Sequence, residues 1–159
     1  MKVHQLLGAA GPVDAVTNQA VAWRRRFSAW GWTGGDFSEV FAPNMDRRVM
    51  RSLRAFAPGP DDVVLVHYSG YSSVLEELIA PLRRVLVLSH NITPARYFWE
   101  LEPTEGVRTS LAPAQLAKIA TRATAAAGVS RFNADGMEAA SVPDVGVIPT
   151  LFGRGRLSA

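Results

Sequence analysis

Val3-His4-Gln5-Leu6-Leu7, then Gly8-Ala9-Ala10-Gly11-Pro12, then Val16, Ala20, Trp23, Phe27 and Trp30 are the residues that decide the fold. The first run reads as a short strand and the second as a glycine and proline loop. The third recurs at steps of four and three, the spacing of one helical face. Asp14 has the position and chemistry of an N-cap, and Gly31 falls where a left-handed residue commonly ends a helix. Strand, glycine loop and amphipathic helix form the first half of a βαβ unit.

The alternation continues outward. Residues 37–41 read as a second strand after the turn-prone Gly34-Gly35. Met45, Val49, Leu53 and Phe56 trace a helical stripe that Pro58-Gly59-Pro60 stops. Residues 63–66 and 85–88 are short apolar runs, as strands buried on both faces of a parallel sheet require. Val74, Leu75, Leu78 and Ile79 suggest the helix between them. Further on, 114–127 reads as an alanine-rich helix closed by Gly128, 129–130 as a very short strand, 133–140 as a helix and 145–148 as a last strand. The expectation is an α/β fold: a doubly wound, mostly parallel, Rossmann-like sheet with helices on both faces. It occupies 1–150, with 151–159 as the start of an interdomain linker or a tail.

The composition agrees with a packed domain. Of 159 residues, 48% are hydrophobic and 19% charged, which argues against disorder. The lack of cysteine excludes disulfides, thiolate metal sites and a cysteine nucleophile. The net charge of +3 comes from arginine, clustered at 24–26, 47–54 and 83–84, while Lys2 and Lys118 are the only lysines. Such a surface fits nucleic acid, phosphorylated ligands or anionic lipid, or is simply solvated. No stretch reaches the roughly 20 apolar residues that span a bilayer. A cytoplasmic location is expected, with the basic helix as a candidate for peripheral contact at the inner face of the membrane and no nucleic-acid partner.

In open α/β sheets, ligands bind beyond the carboxyl ends of the strands. Gly8, Gly11, Asp14 and Asn18 follow the first strand, His67 and Tyr68 the third, and His90, Asn91 and Thr93 the fourth. Ser130 and Asn133 follow the later short strand. Polar groups thus gather at one end of four strands. Histidine offers a neutral donor and acceptor, and asparagine can pair with sugar hydroxyls in both directions. Tyr97, Phe98 and Trp99 are candidates to stack on a ligand's apolar face, or else to fill a satellite core. Gly8-x-x-Gly11 matches neither a dinucleotide fingerprint nor a Walker loop. Ser69 and Ser72 lack the nucleophile elbow of α/β-hydrolases. His4 lies early in its strand whereas His67 and His90 lie near strand ends, so no shared metal site is expected.

In order and spacing, several segments resemble the N-terminal domain of family-4-like glycosyltransferases of the GT-B fold. They are Val3-His4-Gln5-Leu6-Leu7, Asp14-Ala15-Val16-Thr17-Asn18, His67-Tyr68-Ser69, His90-Asn91-Ile92-Thr93-Pro94, Ser130-x-x-Asn133 and Val145-Gly146-Val147-Ile148-Pro149. The first loop departs from the usual pattern, with Val13 and Thr17 where glycines are expected. The resemblance implies retaining transfer of a sugar from a nucleotide-sugar donor to an acceptor hydroxyl. This domain would supply the acceptor side and a C-terminal domain would bind most of the donor, leaving the chain inactive alone. It implies His90 as the catalytic contact, and Gly11, Asp14, Asn18, His67, Tyr68, Asn91, Thr93, Ser130 and Asn133 as substrate-binding. No cofactor is implied, the nucleotide sugar being a substrate. The residues alone also admit a stand-alone module for a polar or phosphorylated small molecule, or half of a sugar-nucleotide epimerase.

Overall fold

A computed structural model describes residues 1–142 and 144–151. Among the described residues, eleven helices and strands follow one another: β1 Val3–Ala10, α1 Ala15–Ala29, β2 Asp36–Phe41, β3 Arg51–Ser52, β4 Val63–Tyr68, α2 Leu75–Ile79, β5 Val85–Ser89, α3 Pro103–Thr121, β6 Ala125–Gly128, α4 Arg131–Ala139 and β7 Gly146–Val147. The seven strands form one sheet in the order β3-β2-β1-β4-β5-β6-β7, and every neighbouring pair is parallel. From β1 the chain steps outward to β3, returns to place β4 beside β1, and steps outward the other way. The doubly wound, Rossmann-like architecture expected from the sequence is the one observed. Its topological switch point lies between β1 and β4.

Strand alternation sorts the core into two layers. Val64, Val66 and Tyr68 of β4 join Leu6, Val85 and Val87 on one face, under α2, α3 and α4. Val3, Leu65 and Leu88 point the other way and pack with Phe27 of α1. Asp14 caps α1 as expected, and Gly31 follows it with φ +73°. Trp23 and Phe27 pack on the sheet, but Trp30, expected there too, is the C-cap residue and half exposed.

Several expectations need correction. The stripe from Met45 to Phe56 is not a helix: its middle pairs with β2 as the two-residue β3, and a single 3-10 turn follows at Leu53–Ala55. Of the stripe Leu53 is buried, in the core of the other face, and so is Met50, off the stripe, against Leu7, Ala10 and Ala20. The helix expected at 114–127 runs instead over Pro103–Thr121, straight through Pro113. Alanines 125–127 favour a helix by propensity, but pairing with Leu86, Val87 and Leu88 makes them strand β6, in place of a strand at 129–130. Gly128 ends that strand and not a helix. A Cβ on it would fall on Ala134 N and Ser130 O, so only glycine lets α4 start this close to the sheet. β4 runs two residues past the expected end and takes in His67 and Tyr68; β1 likewise takes in Gly8, Ala9 and Ala10. Of the tail at 151–159, all but Leu151 lies outside the described residues.

Candidate active site at the carboxyl edge

Beneath α1, the sheet face carries a buried polar line. Arg24 donates from Nε and Nη2 to Asp36 at 2.7–3.1 Å. Gln5 Nε2 donates to Asp36 Oδ1 at 2.8 Å and to Ala20 O at 2.9 Å. Both partners only accept, so the amide orientation is set and Gln5 Oε1 is left facing His67 Nε2 at 2.8 Å. An amide oxygen only accepts, hence His67 Nε2 carries the proton and His67 Nδ1 is bare. His90 Nε2 lies 3.1 Å from that bare nitrogen and must donate to it. The remaining ring nitrogen, His90 Nδ1, is therefore an acceptor, and it has no hydrogen-bond partner among the described residues. A chain of one-way hydrogen bonds thus delivers a directed lone pair to the carboxyl edge.

Both rings are neutral. Burial pushes His67 down to about 3, with the neighbouring His90 ring adding to it. Burial pushes His90 down to about 4, against an opposing pull from the Asp14 carboxylate. That pull brings the β1–α1 loop and the end of β5 into one electrostatic site.

The β1–α1 loop is closed on itself. Asp14 Oδ2 accepts from Thr17 N at 2.6 Å and from Thr17 Oγ1 at 2.7 Å, and Thr17 Oγ1 accepts from Gly11 N at 3.1 Å. Gly11's amide, an expected ligand contact, is thereby committed to Thr17. Asp14 places a carboxylate on the positive end of α1. An incoming phosphate would meet a filled donor and a negative charge where phosphate loops offer free amides. Thr17, standing where the resemblance expects glycine, makes this closure. Asn18 lies half-buried in the first turn of the helix.

The other expected residues divide. His90, Asn91 and Asn133 line one cavity of about 420 Å³ between the end of β5, α3 and α4. Thr93 lines a second, of about 270 Å³, at the switch point, with Gly8 and Gly70 on its strand side. Ser130 caps α4, accepting from Asn133 N at 3.3 Å and Asn133 Nδ2 at 3.0 Å. Tyr68 points to the opposite sheet face, where it is buried and donates to Ala112 O at 2.8 Å. Burial, with Glu76 and Tyr71 nearby, raises its pKa, so it stays a phenol. Of the three aromatics, Phe98 lines the switch-point cavity while Tyr97 and Trp99 are largely exposed.

Sequence reading missed Glu105, Arg108 and Thr109, which wall the switch-point cavity from α3. Arg108 pairs with Glu105 at 3.1 Å and donates to Tyr71 O at 3.2 Å. Pro103 at the first helical position with Glu105 in the first turn was the available signal; Pro113 masked it. The arginine clusters dissolve in part: Arg24 pairs with Asp36, and Arg47 and Arg51 lie over the rings of Phe41 and Phe37.

His4 faces the other layer. Its Nδ1 accepts from Gly35 N and its Nε2 lies 3.1 Å from Asp62. Among the described residues, no group of three or more His, Cys, Asp or Glu is placed to hold a metal ion, and no helix is long and apolar enough to cross a membrane. No family model and no curated protein matches this chain.

Proposed function

We propose that the chain is the acceptor-side domain of a retaining glycosyltransferase. In this reading a sugar passes from a nucleotide-sugar donor to an acceptor hydroxyl, and a C-terminal domain holds most of the donor. The observation that carries the reading is the character of the carboxyl edge. It presents a neutral, oriented acceptor at His90 Nδ1, and it closes the α1 N-terminus to phosphate with Asp14 and Thr17. Such an edge suits hydroxyls better than a diphosphate.

His90, held near 4, is a poor general base at neutral pH. Its role is to accept the hydrogen bond of a hydroxyl and so aim the oxygen lone pair. Alignment of this kind lowers the barrier by fixing the reacting geometry.

Saturation-transfer NMR of the chain with methyl glycosides and with nucleoside diphosphates tests the reading. Glycosides should bind, and His90→Ala should weaken them roughly tenfold, about one hydrogen bond's worth. Tight, His90-independent binding of a nucleoside diphosphate with no glycoside binding would overturn the proposal. So would robust sugar transfer by this chain alone, because donor binding would then not reside elsewhere.

A further inference from the structure

The cavity between α3 and α4 has a wall pattern of its own. Pro113, Leu116 and Ala117 form one face of α3, and Phe132 and Gly136 of α4 recur with its C-cap residue Ala140 at steps of four. Ile92 and Met137 add apolar lining, and the volume of about 420 Å³ falls in the range of small-molecule sites. The gap exists because Ala117, Gly136 and Ala140 are small where larger side chains would close it. Gly136 has no backbone reason to be glycine: it lies inside a helix, outside the positive-φ residues, and a Cβ there would meet nothing within 4 Å. It costs helix stability relative to alanine, and only a side chain longer than alanine's would reach into the cavity.

A second observation points into the same space. Val85 and Val87 face α3, so by alternation Ser89 does too, and it lines the cavity. It is 2% exposed, yet among the described residues its hydroxyl makes only a 3.4 Å contact from Oγ to His90 O, longer than a normal hydroxyl bond. Buried hydroxyls normally find a partner. Here the open direction is the cavity.

We infer that this cavity takes the apolar body of an aryl- or alkyl-substituted acceptor, with Ser89 bonding a polar atom at its junction with the sugar. The inference rests on the acceptor reading above and gives the acceptor a class: a glycoside or polyol with an apolar substituent. His90 and Asn91 also line this cavity, while the His90 ring meets His67 on the α1 face, so an acceptor would bridge the carboxyl edge at the end of β5.

The test is calorimetric titration of the chain with methyl, butyl and hexyl glucosides and with 4-ethylphenol. Wild type should gain roughly fourfold in affinity per added methylene until the cavity fills. Gly136→Leu should return hexyl glucoside to the methyl level. Ala117→Leu, which closes the gap from the other helix, should do the same if Gly136→Leu fails to fold. Gly136→Ala should keep the chain-length dependence, and Ser89→Ala should weaken hexyl glucoside and 4-ethylphenol alike. A flat chain-length series in wild type, or one unchanged by both leucine variants, would overturn the cavity assignment. His90-dependent binding of methyl glucoside with a flat series would sink the cavity and keep the acceptor reading. Binding of 4-ethylphenol that the leucine variants abolish, with no glucoside binding, would keep the cavity and sink the acceptor reading.

Discussion

His67 and His90 show how a single amide can set the state of a site. Gln5 cannot turn its Oε1 toward Asp36 without opposing two acceptors, and that constraint passes through His67 to leave His90 Nδ1 bare. Nitrogen-15 NMR should find the proton of His90 on Nε2 at neutral pH. The same burial makes a stability prediction whose sign can be worked out. Unfolded, each histidine takes up a proton near 6.5; folded, they do so only near 3 and near 4. Below 6.5 the unfolded state therefore binds more protons, so stability is complete above that pH and falls as pH drops toward the folded values. The slope is about 1.4 kcal/mol per pH unit for each histidine. Urea unfolding at stepped pH should show this loss between pH 6.5 and 4, reduced in His67→Gln. A flat profile would mean that the rings are not buried neutral.

The first turn of α1 combines a cap and a closed loop. Asp14 satisfies one of the free amides at the helix start, and Thr17 ties that cap to Gly11. Asp14→Ala should cost about 1 kcal/mol by thermal unfolding. Asp14→Asn keeps an accepting oxygen but removes the charge. It should stay close to wild type in stability and let phosphate raise the melting temperature more than it does for wild type. An equal phosphate effect in both would show that the carboxylate does not guard the helix end. On the other face of the sheet, α3 is held to the β4–α2 connection by Gln115. Its Oε1 accepts from Ser72 N at 2.9 Å and its Nε2 donates to Ser72 O at 2.8 Å. Two turns earlier on the same helix, Arg108 lines the switch-point cavity.

The whole sheet should unfold from its edges. β1, β4 and β5 each have a paired strand on both sides and helices or core above them, whereas β3 and β7 are two-residue edge strands. Hydrogen exchange should be slowest in β1, β4 and β5 and fastest in β7; comparable rates across the sheet would contradict a single cooperative core. The amino-acid sequence by itself determined the βαβ alternation, the parallel sheet, the Asp14 cap and the position of His90 after a strand. These signals are local: period, punctuation and the apolar runs of doubly buried strands. It did not determine the fate of 45–56, 103–113 or 125–128. There a local preference for helix, or a proline's disfavour of it, was outweighed by pairing and packing with residues far along the chain. The site divides in the same way. His90, Asn91 and Thr93 were legible as polar residues beyond a strand. Only the tertiary structure decided that Gln5 and His67 orient His90, that Thr17 closes the loop on Gly11, that Tyr68 turns into the core, and that Ser89 opens onto a cavity. The loop closure is local but lies in side-chain geometry; the others depend on which face of which strand meets which helix, and a one-residue shift in register reverses that facing.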